Sequence, residues 1–215
     1  MPAAVPPSAP SASGESRIRI IALGDELLAG VGDARALGWI GRAVASSQGT
    51  DCRLELFPAA LPGDTSGDLA ERWDADVRAR MAPTSGEEPM ENRVVVALGR
   101  ADAGAGLSLA RARLNLAKVL DGLERMRIPA FVVGPPPGSD PETAGSVREL
   151  SSAFADVCSR RRTPYVDMVS GLEGHEQWEG DLSRAVGQYP GQTGYGLMAW
   201  LVLHGGFADW ATGRG

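Results

Sequence analysis

The chain has 215 residues, 43% hydrophobic and 22% charged, enough for a sizeable core and ordinary for a globular protein. A formal net charge of −6 and a pI near 5.0 exclude the basic face that a nucleic-acid partner requires. No apolar run approaches the roughly 18 residues of a membrane span, so no membrane partner is expected.

Residues 1–16, rich in Pro, Ala and Ser, read as a disordered tail without the basic start and apolar stretch of a secretory signal. Residues 17–215 are expected to form one domain, and the expected location is cytoplasmic. Arg17 to Leu23 is an apolar run that reads as a strand ending at Gly24. Gly38 to Ser47 has a helical pattern. Arg53 to Phe57 alternates polar and apolar residues, as a half-buried strand would. Ser66 to Met81 begins with polar capping residues and carries Leu69, Trp73 and Val77 at helical spacing.

Residues 83–92 read as a loop, and the β-branched run at 93–99 as a central parallel strand covered on both faces. Leu107 to Met126 reads as a long helix with Arg111, Arg113 and Lys118 on its solvated side. A strand at 128–134 stops at a Pro-Pro-Pro-Gly turn. Val147 to Arg161 reads as a helix whose terminal arginines, Arg160 to Arg162, suit the negative end of its dipole. Residues 164–169 read as a short fifth strand, and Gly194 to Ala208 as the last helix. Cys52 and Cys158 fit neither a metal-ligand spacing nor a disulfide framework and are expected to be buried thiols.

Strands separated by helices imply an α/β three-layer sandwich around a five-stranded parallel sheet. In such sheets the site lies beyond the carboxyl ends of the strands. The turns there carry Gly24-Asp25-Glu26-Leu27, Gly63-Asp64-Thr65-Ser66 and Gly99-Arg100-Ala101-Asp102, with the segment 186–195 before the last helix. Each turn alone has a structural explanation, since Gly supplies unusual backbone angles and Asp, Ser or Thr caps the following helix. No dinucleotide fingerprint or P-loop follows the first strand, and no cofactor is implied.

Taken together and in order, these blocks resemble the SGNH (GDSL) hydrolases, a family of lipases, esterases, thioesterases and carbohydrate acetylesterases. The resemblance covers about Arg17 to Trp200 and implies a flavodoxin-like fold. Residues 23–33, "LGDELLAGVGD", resemble the first block, and Trp39 falls where many members have an aromatic residue on the first helix. Residues 62–69, "PGDTSGDL", resemble the second, residues 94–102 the third, and residues 186–195 the last.

The chemistry diverges. Carried over by position, the nucleophilic serine is Glu26, the oxyanion-binding glycine is Gly63 and the oxyanion-binding asparagine is Ala101. The histidine is Tyr189, and the aspartate that would orient it is Val186. Of these five only the glycine is retained. A covalent acyl-transfer mechanism needs a nucleophile activated by a base, and Glu26 with Tyr189 supplies neither. The reading is therefore a non-catalytic binding or regulatory protein, a pseudoenzyme that holds an unknown small molecule or protein at the former active-site crevice. An esterase or lipase-type acylhydrolase with residual or rearranged activity is the alternative, and a carboxylate- or metal-dependent hydrolase using Asp25, Glu26, Asp64 and Asp102 is the second.

Four side-chain expectations follow. By the resemblance, Asp25 and Asp102 are expected to support their turns through hydrogen bonds. Thr65 and Ser66 cap a helix. His175 could swing into the pocket from its loop, whereas His204 attends a helix end. Glu26 and Tyr189 face each other, the phenol donating to the carboxylate and filling the old Ser–His space.

Overall fold

Strands β1 (Ser16–Gly24), β2 (Cys52–Ala60), β3 (Glu91–Ala97), β4 (Ala130–Val133) and β5 (Tyr165–Val166) form one parallel sheet in the order β2-β1-β3-β4-β5. The computed structural model describes residues 16–85, 90–184 and 189–214, so the expected tail lies almost wholly outside the described residues. The central position of β1 and β3 follows from their composition: Ile20, Ile21, Leu23 and Val94 to Val96 are fully buried on alternate faces. Strand β2 lies at the edge, where Pro58 removes no ladder donor that a further strand would need.

One face of the sheet packs on α2 (Gly38–Ser47), α9 (Gln192–His204) and α10 (Phe207–Thr212) through Trp39, Phe131, Tyr195 and Phe207. The opposite face packs on α3 (Ser66–Arg80), α5 (Leu109–Arg125) and α6 (Pro141–Arg161) through Leu69, Trp73, Leu116, Leu123 and Phe154. The sandwich expected from the sequence is thus formed. Burying these aliphatic and aromatic side chains on both faces supplies the driving force, at roughly 25 cal/mol per Å² of apolar surface. No helix among the described residues is long and apolar enough to cross a membrane.

Short helices α1 (Glu26–Ala29) and α4 (Ala101–Gly104) follow β1 and β3 directly. Several boundaries differ from the sequence pattern. Helix α6 starts six residues before Val147, because Asp140 accepts from Glu142 N at 3.0 Å and Pro141 occupies the first turn. Strand β5 ends at Val166, because Asp167 accepts from Val169 N and caps α7 (Met168–Leu172). The expected loop around His175 includes α8 (Glu176–Arg184), which buries Trp178 and Leu182 one helical turn apart. The last predicted helix breaks at Gly205-Gly206, where Gly206 has φ 89°, and resumes as α10.

Two of the three terminal arginines of α6 are paired, Arg160 with Asp156 one turn earlier and Arg161 with Asp121 of α5. His204 sits in the last turn of α9, with Nδ1 2.8 Å from Trp200 O and its ring stacked on that indole. Both cysteines are buried thiols.

Candidate functional site

The carboxyl end of β1 delivers Asp25 and Glu26 into the crevice in consecutive positions. Asp25 caps α1, its Oδ1 accepting from Leu27 N at 2.9 Å. It is 2% exposed. A Cβ on Gly99 would stand 1.8 Å from Asp25 Oδ2, so the third turn has glycine because the first turn's carboxylate presses against it. Burial, and then the neighbouring Glu26 charge, push the Asp25 carboxyl up to about 7, against the pull of the Leu27 and Leu28 N–H groups and of Arg100.

Glu26 reaches across to the second turn, where its Oε2 accepts from Gly63 N at 2.6 Å. Gly63 adopts φ 73°, a left-handed conformation that only glycine enters without cost, and its N–H points at the Glu26 carboxylate. The turn behind it is anchored by Asp64, which is paired with Arg72 of α3. Arg72 also donates to Ala59 O at 3.2 Å and to Gly24 O at 3.1 Å, so one guanidinium ties the ends of β2 and β1 to this turn. Thr65 caps α3 and exchanges hydrogen bonds with Asp68, the capping role expected of it. Ser66 serves the network differently, its Oγ accepting from Asn115 Nδ2 at 3.0 Å.

The third turn supplies Arg100 to Asp102. Ala101 opens α4 and has no polar side-chain atom to offer. Asp102 Oδ1 accepts from Ser66 N at 2.6 Å, joining the second and third turns. The supporting roles expected of Asp25 and Asp102 are therefore present in the structure. Arg100 was not singled out by motif reading. A Cβ on Gly138 would meet its guanidinium at 2.4 Å, which places that group against the turn after β4. Burial draws its pKa down, while the charges of Asp25, Glu26, Tyr189 and Tyr195 act in the opposite direction. A basic residue inside the third block was the available sequence signal.

The expected Glu26–Tyr189 pairing does not form. No hydrogen bond joins the two among the described residues; Glu26 Oε2 accepts from Gly63 N. Tyr189 stands against the first loop, where a Cβ on Gly32 would come within 3.1 Å of Tyr189 Cβ. The neighbouring loop is held by Tyr195, whose hydroxyl donates to Val31 O at 2.7 Å. Val186 lies outside the described residues. His175 lies between α7 and α8 and forms no hydrogen bond or ion pair with Glu26; its Nδ1 is buried without a partner among the described residues. Sequence reasoning also missed Arg72, whose contacts cross 48 and 13 residues of chain.

Among the described residues no three His, Cys, Asp or Glu side chains come together as a metal could require. The turn carboxylates are dispersed onto separate partners: Asp64 onto Arg72, Asp102 onto Ser66 N, and Glu26 onto Gly63 N. This separates the four-carboxylate group considered from sequence. What the site does offer is a guanidinium and two adjacent carboxylates, Glu26 held on the Gly63 N–H and Asp25 titrating near neutrality.

Comparison with known proteins adds the evolutionary context. The GDSL-like Lipase/Acylhydrolase family model matches residues 22–197. No curated protein matches the chain. Among solved structures, a lipolytic protein of the G-D-S-L family from Desulfitobacterium hafniense DCB-2 is 22% identical with a TM-score of 0.70, over 87% of this chain and 98% of that one. A lipase/acylhydrolase from Enterococcus faecalis is 22% identical with a TM-score of 0.68, over 91% and 96% of the two chains. The psychrotrophic esterase EstA from a Pseudoalteromonas species is 20% identical with a TM-score of 0.65, over 89% and 97%. At these identities the structural likeness establishes the fold.

Proposed function

The chain belongs to the GDSL-like lipase/acylhydrolase family, and from that premise we propose that it acts by binding rather than by hydrolysing esters. The observation that carries this reading is the 2.6 Å hydrogen bond from Gly63 N to Glu26 Oε2. By resemblance, Gly63 is the position whose N–H receives the oxyanion, and here a permanent carboxylate occupies that donor. A transition-state oxyanion forming about 4 Å from Glu26 would be repelled by roughly 4 kcal/mol at an effective dielectric near 20. Removing one oxyanion donor costs an enzyme of this kind about 10²–10³ in kcat, and Ala101 offers no second side-chain donor.

The occupant we infer is a small molecule or a protein segment seated at the crevice mouth. Val31 and Leu61, 39% and 50% exposed, flank Glu26 and give that mouth an apolar rim. Their backbones are fixed to the same strand end: Val31 N donates to Glu26 O, and Leu61 N to Gly24 O.

The test uses purified full-length protein with p-nitrophenyl acetate and butyrate. Wild type is expected to show no turnover above the uncatalysed rate. The variant Glu26→Ser, Ala101→Asn, Val186→Asp and Tyr189→His is expected to gain it. Wild-type turnover that disappears in Glu26→Ala would refute the binding reading in favour of a rearranged acylhydrolase.

A further inference from the structure

At the opposite end of the sheet from the crevice, an open cavity of about 360 Å³ is lined by Arg127, Arg161, Arg162, Glu124 and Trp210. We propose that it is a binding site for a small phosphate monoester. Its walls are built from a repeated turn. Arg127-Ile128-Pro129 follows α5 and Arg162-Thr163-Pro164 follows α6, each leading into one of two neighbouring parallel strands, β4 and β5. Adjacent strands place the two turns side by side, which brings the arginines to one cavity.

Both arginines occupy the left-handed region, with φ 57° at Arg127 and 53° at Arg162. Glycine is the residue that closes a helix in this conformation without strain, yet arginine stands at both positions. Capping the helix ends does not require the guanidinium groups. Backbone N–H groups already do so: Arg127 N donates to Glu124 O and Ile128 N to Leu123 O, and Arg162 N to Ser159 O and Thr163 N to Cys158 O. Arg161 is committed to Asp121. The side chains of Arg127 and Arg162 form no ion pair or hydrogen bond among the described residues.

Trp210 closes one wall of the cavity. Its Nε1 is buried away from the cavity's solvent, without a hydrogen-bond partner among the described residues. The indole is held in place by Arg93, whose guanidinium carbon lies 5.6 Å from the ring and whose Nη1 donates to Trp210 O. The two uncommitted guanidinium groups suit a phosphate, whose oxygens accept several charge-assisted hydrogen bonds at once. Glu124 on the same wall opposes bare anion charge and instead accepts a hydroxyl from the ester's organic part. The volume is that of a small-ligand pocket.

The substitutions Arg127→Gly and Arg162→Gly test the site cleanly, because glycine relieves the backbone while removing the charge. Thermal melts of the full chain with inorganic phosphate and with glycerol 3-phosphate, at constant ionic strength set by chloride, are the measurement. Wild type is expected to gain melting temperature saturably with both probes, and more with the ester. The double variant should melt at or above the wild-type temperature without ligand and bind roughly tenfold or more weakly. Absence of a saturable shift in wild type, or an equal shift in the double variant, would overturn the assignment.

Discussion

Replacing Asp25 by Asn should flatten the pH dependence of stability across the neutral range. The Asp25 carboxyl rises from an ordinary 3.8 to about 7 because folding buries it beside Glu26. Between those values the folded state holds a proton that the unfolded chain has released. Stability is therefore fully present below pH 4 and is lost as pH rises through 7, at about 1.4 kcal/mol per pH unit. Over some three units the ceiling is about 4 kcal/mol, or roughly 10 °C in melting temperature for a domain of this size. Asn retains an oxygen for Leu27 N and carries no charge at any pH. Urea unfolding from pH 4.5 to 8 should show wild type losing stability relative to Asp25→Asn, with the two converging at the acid end. Asp33 and Asp121, held below the usual carboxylate range by hydrogen bonds from Arg42 and Arg161, lose their contribution only as pH falls below about 4, outside this window. Parallel curves for the two proteins would show that Asp25 is not a buried, proton-holding group.

Arg72→Ala should cost about 3–5 kcal/mol in denaturant unfolding, since it strands the buried Asp64 carboxylate and unties the ends of β1 and β2. Gly122→Ala would gain about 1 kcal/mol of helix propensity in α5. Its Cβ, however, would stand 2.2 Å from Trp73 Cζ2, so a net loss of about 1–3 kcal/mol is expected, read as a lower melting temperature. Both thiols should be inert to a disulfide reagent in native protein and titrate only on unfolding. Cys52 and Cys158 are 2% and 0% exposed, and burial pushes the Cys158 thiol up to about 12.

The order of strands and helices was legible in the residue pattern because apolar periodicity is a local consequence of burial on one face or two. The β-branched run at 93–99 announced a covered strand, which the structure sets two residues earlier at Glu91–Ala97, and Thr65 announced the helix it caps. The ends of α6 and β5 were less legible, since Asp140 and Asp167 look like loop residues until their oxygens are seen taking up helix N–H groups. Helix α8 hid in a polar stretch because only Trp178 and Leu182 face inward.

At the site, the resemblance to a hydrolase family located the turns, and the residues Glu26, Gly63 and Ala101 could be named from the chain alone. Which partner each side chain takes could not. Glu26 and Gly63 are 37 residues apart and meet only because β1 and β2 end together, and that meeting, not sequence spacing, gave the carboxylate a backbone donor in place of Tyr189. Arg100 and Arg72 likewise acquire their partners from turns brought together by the sheet. Local pattern is set by whether a residue is buried, whereas pairing is set by distances across strands, so the amino-acid sequence determined the scaffold and its altered chemistry and the tertiary structure alone decided how those charges are neutralised.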